Sequence, residues 1–109
     1  MNDQRLHPRA IMPKSVHVID QMTNEEYAHV VNLSVSGMLL AGRKKMEVGN
    51  VLQLELVISA LDFRAAVGVE CVWAEPQNTN LYFGGFRVID IAEKDLELLE
   101  SLIQQSTAD

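Results

Sequence analysis

Hydrophobic and polar positions alternate in short runs along most of this chain and change to a helical period only at its end. From Ala10 to Asp20 the pattern is strand-like, with Val16 and Val18 in phase. Pro13 places the start of that run at an edge or bulge, because proline cannot donate to a ladder. Gln21 to Glu26, with Thr23 and Asn24, reads as a turn. Tyr27 to Leu33 predicts a second strand with Tyr27, His29, Val31 and Leu33 on one face, which makes His29 a packed histidine. Met38 to Ala41 is a short third strand, and Gly42 to Gly49, carrying Arg43, Lys44 and Lys45, is a solvated connection. Val51 to Ile58 alternates most regularly, Leu52, Leu54, Leu56 and Ile58 against Val51, Gln53, Glu55 and Val57. From Phe63 to Glu75, the residues Phe63, Ala65, Val67, Val69, Cys71 and Trp73 share one phase, so Trp73 is expected to pack inside. Leu81 to Ile89 is the sixth strand, and Gly84-Gly85 within it marks a bulge or a close approach by another group.

The tail changes period. Asp90 and Glu93 have the spacing of a capping box, and Ala92, Leu96, Leu99 and Ile103 then recur at helical intervals with Leu102 beside them. Six short strands with turns between them and no crossover helix predict an all-β fold, an antiparallel sheet curled into a six-stranded β-barrel. The C-terminal α-helix lies on its outside or covers one end. The chain divides into an arm over 1–9, a barrel over 10–89 and a helix over 90–106.

At 109 residues there is material for one domain with its own core. One cysteine excludes an intramolecular disulfide and suits a reducing compartment. No apolar block near the start has the form of a signal peptide, and no run approaches a membrane span, so the expected location is the cytoplasm. A net charge of −6 argues against a general DNA or RNA binder, which needs a broad basic surface. The charge is uneven, however. Arg5, Arg9 and Lys14 face only Asp3 in the first nineteen positions, while the last twenty are acidic. That asymmetry suits a small anionic ligand better than a long polyanion.

Two motifs give the anion a site. Arg5 and Arg9 form Arg-x-x-x-Arg, and Pro8 disfavours helix before it, so the pair sits on an extended or turning arm. Extended, they share a face about 13 Å apart at ~3.3 Å per residue, the two ends of a nucleotide rather than one phosphate. A guanidinium fork fits phosphate oxygens and the O6/N7 edge of guanine. The second motif is Asn32-Leu33-Ser34-Val35-Ser36-Gly37. Asn32 and Ser34, two apart, project from one face if the chain there is extended. The amide and hydroxyl answer guanine's N–H groups, and Gly37 allows a turn or a close backbone approach.

With both motifs complete and in this order, the sequence resembles the PilZ domain family, bacterial modules that bind cyclic di-GMP. The stretch from Gly49 to Leu56 is similar to the family's fourth strand, and Gly85-Phe86-Arg87-Val88 to its sixth. The resemblance implies a six-stranded antiparallel barrel with a C-terminal helix and an arm that folds over the ligand. It implies that Arg5 and Arg9 contact guanine and phosphate, that Asn32 and Ser34 contact the second guanine and nearby phosphate, and that Gly37 admits the backbone. Gln4, Ser36, Met38 and Trp73 are carried as ligand-adjacent positions. Gln4 stands where many members have a further arginine that helps hold a stacked ligand pair, so one and two bound molecules both fit. Asn32 is the neutral choice where others have Asp, without charge assistance toward guanine's donors.

The expectation is a non-catalytic cyclic di-GMP receptor and adaptor that signals to a downstream protein, with no cofactor, no metal and no membrane insertion. No phosphate-binding glycine loop is present, and His7, His17 and His29 lack metal-ligand spacing with Cys71. The rival is a nucleotide-independent protein–protein adaptor in pilus or motility regulation.

Overall fold

The computed structural model describes residues 10–12 and 16–107. Its strands are β1 (Ala10–Ile11), β2 (His17–Asp20), β3 (Glu25–Leu33), β4 (Gly37–Gly42), β5 (Val51–Ile58), β6 (Phe63–Asn78) and β7 (Leu81–Asp90), followed by helix α1 (Glu93–Thr107). All neighbours are antiparallel, in the order β3-β2-β5-β6-β7-β4, and β4 pairs back onto β3 to close the ring. β1 and β2 follow one another along the same edge of β3. Ile11 faces Asn32 and His17 faces His29, six steps on one side against three on the other. They are two pieces of one barrel stave within the strand-like run from Ala10 to Asp20, whose Pro13 lies outside the described residues. The result is a closed, six-stranded antiparallel barrel with one C-terminal helix.

The interior is apolar. Val18, Val30, Leu33, Leu40, Leu54, Leu56 and Val69 are fully buried, and β5 keeps the phase read from its alternation. α1 contacts both β6 and β1, which are not neighbours in the ring, and so spans one opening of the barrel. Its Leu99, Leu102 and Ile103 are buried in the same core cluster as Met12 and Val16.

Three expectations need correction. In β3 the pairing slips at Tyr27 against β2 and at Val31 against β4, so strict alternation fails. Ala28 and Val30 turn inward with Tyr27 and Leu33, and His29 is half-buried on the outer face opposite His17 rather than in the core. In β6 a further slip at Val72 takes Trp73 out of the interior phase. Cys71 is buried, but Trp73 is 43% exposed. Finally, Asp90 pairs with Gly68 at the end of β7 and does not cap the helix, which starts at Glu93 with Leu96 N–H donating to Ala92 O (2.9 Å). Glu93 and Asp95 place negative charge in the first turn, where the helix dipole favours it. No helix among the described residues is long and apolar enough to cross a membrane.

Candidate functional site

The Asn32–Gly37 motif is the turn that joins β3 to β4. Serine hydroxyls in turns compete for backbone N–H groups, and Ser34 does so here. Its Oγ accepts from the N–H of Gly37 (3.2 Å) and of Ser36 (3.3 Å) and donates to Gly37 O (3.3 Å). Ser36 Oγ lies 3.1 Å away, and the backbone closes with Ser34 N–H on Gly37 O (2.9 Å). Ser34 is therefore a buried polar residue whose hydroxyl organises the turn. The ladder ends at Leu33, so the two-residue period does not carry through, and Ser34 does not share the outer face with Asn32. Gly37 has a packing role as well. A Cβ there would stand 2.6 Å from the carbonyl oxygen of Phe86, and Val88 N–H already donates to Ser36 O (2.9 Å), binding the turn to β7.

Beside the turn, the outer face carries a transverse row. Ile11 faces Asn32, Asn32 faces Leu39, Leu39 faces Gly85 and Gly85 faces Trp73. The indole lies across Gly85, occupying the space where a Cβ would project. This is the close approach that the Gly84-Gly85 pair signalled. An open groove of about 300 Å³ follows the row, bounded by Asn32, Ser36, Gly37 and Met38 on one side and Val72 and Trp73 on the other. Five predicted positions thus line one groove, while Ser34 is at its edge inside the turn. Cys71, behind Trp73, donates its thiol to Trp73 O (3.3 Å), and burial pushes that thiol's pKa up, which keeps it protonated and unreactive.

Arg5, Arg9 and Gln4 lie outside the described residues. The chain that carries them joins the barrel at Ala10, which faces Leu33 next to the turn.

Sequence reasoning missed Leu39, Val72, Phe86 and Arg87 as lining residues. Arg87 was findable, because it repeats the outward phase of Gly85 two positions later. Among the described residues lining this groove it is the one charged side chain. A larger hollow of about 430 Å³, lined by His29, Ala41, Arg43 and Lys44 among others, contains none of the predicted positions. Lys44 there is paired with Glu25 (3.2 Å), an exposed contact worth little.

Comparison with known proteins agrees with this architecture. The sequence matches the family model of the PilZ domain over residues 3–105. No curated protein matches it. Among solved structures, the Bacillus subtilis inhibitor of motility MotI/DgrA superposes with a TM-score of 0.77 at 13% identity, over 95% of this chain and 51% of that one. The PilZ domain of Escherichia coli YcgR with c-di-GMP gives 0.72 at 13% identity, over 95% and 92%. The c-di-GMP complex of MrkH from K. pneumonia gives 0.74 at 11% identity, over 95% and 52%. This chain spans about half the length of the MotI and MrkH chains, and identities this low carry the fold alone. The family match extends over nearly the whole sequence, on a barrel whose β3–β4 turn holds the Asn-x-Ser-x-x-Gly motif: this chain belongs to the PilZ domain family.

Proposed function

We propose that this protein is a cyclic di-GMP receptor of the bacterial cytoplasm, without catalytic activity, that passes the signal to a downstream protein. The observation that carries the reading is a juxtaposition. The Asn32–Gly37 turn and the exposed Trp73 border one groove, and the stave that follows the Arg5/Arg9 motif in sequence starts at Ala10, opposite Leu33 and next to that turn. PilZ neighbours solved with c-di-GMP support the choice of ligand.

In this reading Asn32 offers its amide to a guanine edge and Trp73 offers a ring face, base–aromatic stacking being worth about 1–3 kcal/mol. Ser34 acts through the turn, holding Ser36 and Gly37 where a phosphate can approach. Arg5 and Arg9 close over the ligand and supply charge to its phosphates, and the surface formed by that closure is what the partner recognises.

Isothermal titration with cyclic di-GMP tests it. Charge-assisted hydrogen bonds contribute about 1.5–3 kcal/mol each. Arg9→Ala is therefore expected to weaken binding on the order of tenfold to a hundredfold, and Asn32→Ala by less. An Arg9→Ala variant that binds as tightly as wild type refutes the site, and a flat wild-type titration favours a nucleotide-independent adaptor.

A further inference from the structure

Arg87 is set apart from the other surface arginines by what stands on each side of it. In the ladder it faces Gly37 on β4 and Glu70 on β6. Gly37 offers no side chain, so the arginine stem is uncovered toward the turn. Glu70 supplies an anchor: its Oε1 accepts from Arg87 Nε–H at 2.8 Å and stands in an ion pair with Nη2 at 2.5 Å. The hydrogen bond and the short ion pair to one oxygen hold the guanidinium in place. The Nη1 edge remains available, since a guanidinium carries five donors and can accept nothing. Arg87 is 61% exposed, so that edge is open to solvent on the groove wall. Arg64 is the contrast. It also pairs across strands, with Glu55 through Nη1 (2.7 Å), but it does not line the groove.

We propose that Arg87 is a further ligand-contacting residue of this site, a cation built into the rigid barrel that binds a phosphate oxygen or the O6/N7 edge of a guanine, and that Glu70 is its positioning residue. The inference rests on the cyclic di-GMP reading above and adds to it a contact that does not depend on the N-terminal arm. Glu70 has two opposed effects. It orients the fork, and its negative charge offsets the field that an anion approaching Arg87 would feel. Glutamine at that position keeps an oxygen acceptor for Nε and Nη2 and removes the charge. The two partners of one ion pair should therefore shift affinity in opposite directions, which a purely structural pair cannot do.

The test is titration of cyclic di-GMP into wild type, Arg87→Ala, Glu70→Gln and Arg64→Ala at two salt concentrations, with thermal unfolding of each variant. The expected result is about tenfold weaker binding for Arg87→Ala, with less salt dependence than wild type. Glu70→Gln should bind several-fold tighter at low salt, and Arg64→Ala should bind like wild type. If wild type binds and Arg87→Ala binds equally well, the inference fails while the receptor reading stands. Equal weakening by Arg87→Ala and Arg64→Ala would reduce the effect to overall charge, and weakening by Glu70→Gln in step with a lowered unfolding midpoint would reduce it to structure; either overturns the proposal. A wild-type protein that takes no cyclic di-GMP overturns both readings together.

Discussion

At Gly37 the missing side chain is first a requirement of the barrel. A Cβ would press on the Phe86 carbonyl oxygen at 2.6 Å, a backbone atom that cannot yield without disturbing the β4–β7 pairing. Gly37→Ala is expected to destabilise the protein by about 1–3 kcal/mol, the usual cost of overpacking. Urea unfolding in the absence of ligand measures this, and an unchanged midpoint would show that the glycine serves only ligand access. Ser34 gives a similar lesson. The sequence makes its type and place legible, a small hydroxyl before a glycine turn, but not its direction. Direction depends on where the ladder stops, and it stops at Leu33 because the Ser34 hydroxyl captures the next N–H groups. Asn32, still inside the ladder, faces outward as its alternation predicts.

Among the elements, the regular strands were legible and the irregular ones were not. Val51–Ile58 has the bounds read from its alternation, because each of its residues meets one partner on β6 without a slip. β3 and β6 carry register shifts, at Tyr27 and Val31 and at Val72, and each inverts the phase of the residues after it. No residue type announces such a bulge, since it relieves the bend of a closing barrel rather than expressing a local preference. The slip at Val72 matters most, because it brings Trp73 from the core to the groove wall. The helix was legible as amphipathic, although its start is displaced by the extension of β7 to Asp90. Its packing predicts that it belongs to the folded unit: Leu99 is 2% exposed within the barrel's own cluster. Leu99→Ala should cost about 2–5 kcal/mol in chemical denaturation. A loss below about 1 kcal/mol would mean that the helix is an appendage instead of a cover.

For the molecule as a whole, the six staves of the described residues close into a ring, which leaves the outer face and the barrel mouths as the main surfaces for recognition. The core also sets an alkaline limit. Tyr27 packs edge-on to Phe86 with ring centroids 6.2 Å apart, and burial raises its phenol pKa to about 12. Burial raises the Cys71 thiol as well. Both groups keep their protons in the folded state at pH values where the unfolded chain has lost them. The unfolded state then binds fewer protons, and stability falls with rising pH. The contribution is complete below the ordinary pKa values of these groups and is lost as pH climbs from about 9 toward 12. Unfolding midpoints in urea at pH 8 and pH 11 should differ in that direction, and a Tyr27→Phe variant should show a smaller difference.

In the proposed receptor a cyclic dinucleotide occupies the groove between the β3–β4 turn and Trp73. Amide and indole NMR spectra of the labelled protein during titration with cyclic di-GMP test it most directly, since the chain has a single tryptophan. The Trp73 indole N–H and the amides of Asn32, Ser36, Gly37 and Gly85 are expected to shift together, while Leu61, in the turn that precedes β6, stays in place. Shifts gathered around His29 and Lys44, or a spectrum unchanged at saturating ligand, would contradict it.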